Sequence, residues 1–249
     1  MIPLKSEKDL EMLRISGCIL AKVIEKLKKE IRLGVRTQDI DKLAEEFVRQ
    51  ENAEPAFLGY KGYPATICAS INNEIVHGIP SNRALKNGDL FSLDVGLRYQ
   101  GYYSDAAITV GIGTIDAQAK KLIEVTKTSL EKGIKQARAG RHLSDISSAV
   151  QRHVEASGFS VVRQFVGHGI GKALHEEPEI PNFGRAHEGP VLKTGMVLAI
   201  EPMVNAGTWE AEVLDNGWTA VTKDGSLSAH FEHTVAITHN GPEILTTLP

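Results

Sequence analysis

Residues Phe91 to Val110 read FSLDVGLRYQGYYSDAAITV. Two apolar, β-branched runs flank Arg98-Tyr99-Gln100-Gly101, which has the chemistry of a turn, so the stretch predicts a β-hairpin. A turn centred on Tyr99 and Gln100 sets Asp94 directly opposite Asp105. Moving it to Gln100-Gly101 shifts the register but keeps both on one face, with Cβ atoms roughly 5 to 8 Å apart. Two like charges on a half-buried sheet are unfavourable unless they are hydrated, protonated or bound to a cation. The hairpin alone leaves a solvated face and a missing cation both open.

The remainder of the chain decides between them. From Ser6 to Glu30, Leu10, Leu13, Ile19, Leu20, Val23, Ile24 and Leu27 recur at helical spacing. Gly34 is expected to stop that helix and Thr37 to cap a second one with the stripe Ile40, Leu43, Phe47 and Val48. Short β-like runs follow around 65–69, 75–77, 90–95 and 102–110. A further helix is expected over Ala117 to Ala137, ended by Gly140.

The second half then repeats the first. Gly34-Val-Arg-Thr-Gln-Asp-Ile40 matches Gly140-Arg-His-Leu-Ser-Asp-Ile146, an offset of 106. Leu85-Lys-Asn-Gly88 before Asp94 matches Leu192-Lys-Thr-Gly195 before Glu201, an offset of 107. These matches predict an α+β fold in which duplicated helix-helix-strand units, about 1–110 and 111–249, share one domain around a pseudo-twofold axis. If Asp94 points at the shared centre, Glu201 should as well. Glu201 closes the apolar run Met196 to Ile200, and Glu232, in SAHFEHTVAI (228–237), stands where the first half has Asp105. His230, Glu232 and Thr234 share a strand face.

Four converging carboxylates require cations. His168, in VGHGIG (166–171), has glycines that let the backbone pass close to other elements and aim one imidazole. Four carboxylates and an imidazole suit two divalent ions of the Mn, Fe, Co or Zn type, whereas a structural zinc favours thiolates. Paired ions activate water for hydrolysis. His77, in a strand leading to a Gly/Pro turn, and His175, seven residues after His168, sit where an imidazole can hold a scissile amide or an oxyanion. Each can equally brace its own turn.

Composition narrows the classes. The chain of 249 residues has a net charge of −3, which gives no global pull toward nucleic acid. No apolar run is long enough to span a bilayer, no signal peptide is evident, and two cysteines, Cys18 and Cys68, form no disulfide framework. A cytoplasmic protein is expected.

Taken together, LGYKGYPATICAS (58–70), NEIVHGIP (73–80), the Asp94/Asp105 hairpin, VGHGIGKALHEEP (166–178), IEPMVNAG (200–207) and DNGWTAVTKDGSLSAHFEHTVAIT (215–238) resemble the methionine aminopeptidases of the short bacterial type, within the pita-bread-fold metallopeptidases. The resemblance spans essentially the whole chain. It implies a pita-bread fold, a central antiparallel sheet with helices on its outer face. It also implies that Asp94 and Asp105 bind one metal, that His168 and Glu201 bind the other, and that Asp105 and Glu232 bridge them. Glu201 would also relay a proton, and His77 and His175 would contact substrate. Tyr60, Tyr63, Cys68, Leu174 and Trp218 would line the methionine pocket, where apolar walls and a thiol suit a thioether.

Three positions depart from the pattern: Leu174 for a frequent phenylalanine, Gly96 for a usual threonine, and His230 for a familiar glutamine. Lacking the long helical insertion and the cysteine-rich extension of larger relatives, the chain is expected to act as a monomer on nascent polypeptides, removing the initiator methionine before a small residue, with the ribosome as the implied meeting point. An Xaa-Pro aminopeptidase or prolidase of the same fold would use the same ligands, and a binding protein that has lost catalysis would lack some of them.

Overall fold

The 91–110 hairpin lies inside the main sheet of the computed structural model, which describes residues 2–248. Its strands β4 (Leu90–Tyr99) and β5 (Tyr102–Gly111) join through Gln100 and Gly101, whose φ angles of 47° and 84° make the two-residue turn that matches strand twist. The turn therefore lies one residue later than the Tyr99-Gln100 alternative. Asp94 faces Ala107 and Asp105 faces Gly96, so the two aspartates are diagonal neighbours instead of opposed ones.

Preceding the hairpin are helices α1 (Glu7–Glu30) and α2 (Thr37–Gln50) and strands β1 (Glu54–Pro55), β2 (Ile67–Ile71) and β3 (Glu74–Val76). After it come α3 (Ala117–Ile134), α4 (Leu143–Ala156), β6 (Ser160–Val161), β7 (Gly167–Gly169), β8 (Glu176–Ile180) and β9 (Val197–Ile200). The chain ends with β10 (Met203–Asn205), β11 (Ala211–Val213), β12 (Ala220–Thr222), β13 (Ser228–His230), β14 (Glu232–Thr238) and β15 (Gly241–Ile244). A nine-stranded sheet runs β1-β4-β5-β14-β9-β7-β8, with β2 added to β4 and β15 to β14; β13-β10-β6 and β11-β12-β3 form two three-stranded sheets. Every pairing is antiparallel. The expected strand over 228–237 breaks at Phe231, and its two pieces enter different sheets.

Two helix details differ from expectation: α3 ends at Ile134, three residues before Ala137, and Thr37 does not cap α2. α1 ends at Glu30, four residues before Gly34, and its start is fixed by Ser6 and Asp9 in a reciprocal capping box. Thr37 is the first residue of α2, not its cap. Its hydroxyl instead donates to the Ser81 carbonyl and accepts from the Ser81 N–H, at 3.1 and 2.8 Å.

That bracket recurs in the second half, where the Ser144 hydroxyl embraces the Glu188 backbone at 2.7 Å on both sides. The bridge Arg36–Ala84 likewise returns as His142–Val191, and Gly34 N–H to Leu85 C=O as Gly140 N–H to Leu192 C=O. All these pairs keep the 106–107 offset, so the duplication read in the sequence is repeated bond for bond in the backbone.

Alternation then sorts the faces. Leu93, Val95 and Leu97 of β4, with Ala106 and Ile108 of β5, pack under α1 and α2. Leu198, Ile200, Val235 and Ile237 make the equivalent layer in the second half beside Leu130, Ile134 and Ile146 of α3 and α4. Leu13, Leu20 and Leu27 of α1 are fully buried, and truncating any one to alanine would cost about 2 to 5 kcal/mol. Positions 94, 105, 232 and 201 fall on the opposite face.

Candidate metal centre and substrate cavity

Asp94, Asp105, His168 and Glu232 are buried, and Glu201 is mostly so. The His168 Nε2 lies 3.6 Å from a Glu201 oxygen and 4.0 Å from an Asp105 oxygen. Ligand atoms of Asp105, His168 and Glu232 come within 4.8 Å of one another, as do those of Glu201, His230 and Glu232. Glu232 belongs to both groups. Asp94 belongs to neither, and reaches the cluster through side-chain contacts with Asp105 and Cys68.

The tautomer of His168 follows from its partner. Nδ1 lies 2.8 Å from the Gly169 carbonyl, which can only accept, so Nδ1 carries the proton. Burial pushes the ring's pKa down to about 3, leaving the Nε2 lone pair aimed at the carboxylates. Gly169 is needed for this fit, since a Cβ there would sit 2.1 Å from the Glu177 carbonyl oxygen.

The electrostatics are those of a cluster short of positive charge. Burial raises Asp94 to about 7, with Glu201 adding to the shift and His230 opposing it. Burial, then Asp94 and Glu201, raise Asp105 well above the usual carboxylate range. Glu201 is raised by burial, and Glu232 by burial and then by the Asp105, Glu201 and Asp94 charges. Burial holds His230 low. Buried oxygens of Asp94, Asp105 and Glu232, and the His230 Nε2, have no protein hydrogen-bond partner. Such groups are costly to bury unless a ligand satisfies them. The donor set, carboxylates and imidazole, is that of a divalent transition metal, so the residues fit the metals that the sequence leads one to expect.

His230 lies within reach of Glu232 and sets its Nε2 3.6 Å from a Glu201 oxygen. Gly96 also has a specific cause. A Cβ at that position would come within 2.6 Å of the Phe57 ring and 3.1 Å of the Ala56 Cβ. Phe57 fills the space that a threonine side chain would occupy.

A cavity opens onto the cluster, and Tyr60, Tyr63, Cys68, His77, Leu174, His175 and Trp218 line it together with the five acidic and histidine residues. Phe57 and Lys61 line it too, although the sequence reading named neither. Lys61 stands inside the LGYKG motif, whereas Phe57 carries no sequence signal. Tyr63 is buried with its hydroxyl 3.0 and 2.9 Å from the Ile67 and Gly78 carbonyls, and Trp218 packs edge-on against it at 5.0 Å. Cys68 is paired across the strands with Asp94, and burial raises its thiol well above the ordinary range.

The two cavity histidines differ. His77 holds φ at 59°, the left-handed region in which a β-carbon costs about 1 to 2 kcal/mol, and its ring meets Phe165 and Trp218 edge-on. Burial, with His230 and His175 nearby, lowers it to about 4. His175 stands at the mouth, its Nδ1 2.9 Å from the Tyr60 hydroxyl and its ring stacked on Tyr60. Burial and then Lys61 lower its pKa.

The model of metallopeptidase family M24 matches residues 11–239. A methionine aminopeptidase of Clostridium perfringens is 52% identical over 248 residues, covering 100% of both chains. The crystal structure of a methionine aminopeptidase from Rickettsia prowazekii superposes with a TM-score of 0.98 at 41% identity, over 99% of this chain and 100% of that one. The prolidase of Pyrococcus horikoshii, at 24% identity and a TM-score of 0.80 over 99% of this chain and 64% of its own, shares the fold alone. On the family match and this full-length similarity, the chain belongs to metallopeptidase family M24.

Proposed function

We propose that this chain is a methionyl aminopeptidase that removes the initiator methionine from nascent polypeptides when the next residue is small. The observation that carries the reading is the buried, unsatisfied carboxylate and histidine cluster at the floor of an apolar cavity. Asp94, Asp105, His168, Glu201 and Glu232 would hold two divalent ions of the Mn, Fe, Co or Zn class, with His230 beside Glu201. When bound, such ions supply Lewis acidity and bring the pKa of water to about 7.

The chain's own residues do the rest. Tyr63, Cys68, Leu174 and Trp218 offer the thioether a polarizable apolar wall and exclude water from it. His175 lines the cavity, and in the tautomer whose Nδ1 accepts from the Tyr60 hydroxyl its Nε2–H is the donor for the substrate carbonyl oxygen as it gains charge. His77, neutral and locked between Phe165 and Trp218, holds the scissile amide. Glu201, raised by burial, is suited to accept a proton at a carboxylate oxygen and return it to the leaving amine.

The same reading makes the protein a cytoplasmic monomer that meets its substrates as they leave the ribosome. Among the described residues no helix is long and apolar enough to cross a membrane.

The deciding assay incubates the metal-reconstituted protein with Met-Ala-Ser and with Ala-Pro peptides, under Mn, Fe, Co and Zn in turn. Release of methionine from the first alone is expected. Failure with every metal, or cleavage confined to Ala-Pro, overturns the reading.

A further inference from the structure

The segment that carries Leu174 and His175 leaves β7 at Gly169; Ile170 N–H still donates to the Val197 carbonyl and the Gly171 carbonyl accepts from Tyr103 N–H, but residues 172–175 carry no backbone bond to a strand before β8 begins at Glu176. Its order must come from elsewhere. Glu176 accepts from the Lys172 and Ala173 N–H groups at 2.8 and 3.2 Å with one carboxylate oxygen. Its other oxygen is bonded to the Lys5 ammonium. Both side chains of that pair are largely buried, at 8% and 12% exposure, so solvent and salt screen it little.

Lys5 is itself fixed by its N–H, which donates to the Gly195 carbonyl at 2.7 Å. Its methylene stem crosses directly over the segment: a Cβ on Gly171 would lie 2.3 Å from the Lys5 Cε and 2.9 Å from a Glu176 oxygen. The Lys172–Asp9 pair nearby, at 3.0 Å, has its lysine 68% exposed and adds little.

We propose that Lys5, acting through Glu176, is a positioning residue for His175: the residues before α1 brace the segment between the candidate metal ligand His168 and the candidate oxyanion donor. This rests on the role assigned above to His175. Neither residue reaches the cavity lining, so their effect passes through the backbone of 171–175. A residue aimed by a brace loses rate when the brace goes, because misplacement by about 1 Å can cost 100-fold. Binding of the methionine side chain, by contrast, depends mainly on walls attached to β2 and the β11–β12 hairpin, with Leu174 the one wall residue on the braced segment.

The test compares wild type, Lys5→Met, which keeps the stem, and Lys5→Arg, which keeps the charge, as metal-loaded proteins on a methionyl peptide. Amide exchange is measured on the same variants without metal. Lys5→Met is expected to lower kcat by about 10- to 100-fold with KM nearly unchanged, and to speed exchange at the Lys172 and Ala173 amides by about ten-fold while core amides hold. Lys5→Arg should recover most of both. Glu176→Gln, which keeps an acceptor for the two amides, should fall between wild type and Lys5→Met. Unchanged exchange in Lys5→Met overturns the brace whatever the substrate is, and faster exchange with unchanged kcat overturns its role in aiming His175. Wild-type inactivity on methionyl peptides would overturn the functional reading instead, and the exchange arm would still decide the brace.

Discussion

The hydroxyl of Thr234 bridges the backbone of Asp105, accepting from its N–H at 3.0 Å and donating to its C=O at 2.8 Å. Beyond the pairs Glu232–Ala107 and His233–Ala106, the β5–β14 ladder is held by this side chain in place of another backbone pair. At the other end Thr109 does the same to His230, at 2.9 and 2.8 Å. Thr234 thus fastens β14 to β5 beside Asp105, and Thr109 fastens the end of β13, just before Glu232, to the same strand.

Thr234→Val removes both bonds at a fully buried site without changing shape. A loss of about 2 to 4 kcal/mol is expected, since the Asp105 amide and carbonyl are both left unpaired. Metal affinity should fall with it, whereas Thr234→Ser should retain most of both. Chemical denaturation and metal titration of the two variants check this.

Asp105→Asn removes a carboxylate that Asp94 and Glu201 both oppose. Turnover and paired metal binding should be lost with the fold intact. The metal-free protein should become more stable at about pH 8, its melting temperature rising by roughly 2 to 4 °C for each kcal/mol of relieved repulsion. A variant less stable than metal-free wild type would show that the cluster is not strained by charge.

The pH dependence has a sign. The raised carboxylates keep protons in the folded chain that the unfolded chain, at about pKa 4, has lost, so metal-free stability falls as pH rises through their window, which for Asp94 extends to about 7. The lowered histidines, His77 at about 4 and His168 at about 3, work the other way, but only below their ordinary value of 6.5. Above that the carboxylates act alone, and metal-free stability should decline toward pH 8. Manganese(II) should reverse the decline and release protons on binding. Thermal melts across pH, and calorimetry in two buffers of different ionisation enthalpy, measure both effects.

His175→Ala should lower kcat by about 10² to 10³ with little change in KM, the scale of losing an oxyanion donor. A change in KM alone would assign the ring to binding.

Gly96→Thr should destabilise the chain by about 1 to 3 kcal/mol through overpacking on Phe57. Combined with Phe57→Ala it should recover much of that loss, and the coupling in the double-mutant cycle reads the contact directly.

These positions also show what the sequence could carry. The duplication, the helix over 6–30, the helix from Ala117 that stops at Ile134 short of the expected Ala137, and the shared face of Asp94 and Asp105 follow from periodicity and repeated words, because those patterns are local or translationally repeated. The register was ambiguous by one turn residue, and only the positive φ of Gln100 settles it. Thr37 has the residue type of a cap, but its hydroxyl was already taken by Ser81 across 44 residues. Phe57, Phe165, Thr109 and Thr234 contribute through contacts over long separations, and a single sequence carries no signal for such pairs. The same is true of the break at Phe231, where a continuous β-like run is divided between two sheets.

The candidate ligands come from both copies of the repeat, two from the first and three from the second, and the two strands at the seam share only two backbone pairs between their threonine ends. Such a centre acts as a completeness check on synthesis. A chain interrupted before Glu232 lacks one of the five candidate ligands and the strand that Thr234 fastens to Asp105, leaving Asp94, Asp105, His168 and Glu201 with the set unfinished. On the reading proposed above, the full ligand set would form only when the last repeat closes against the first, so an unfinished copy would have no complete centre with which to cut.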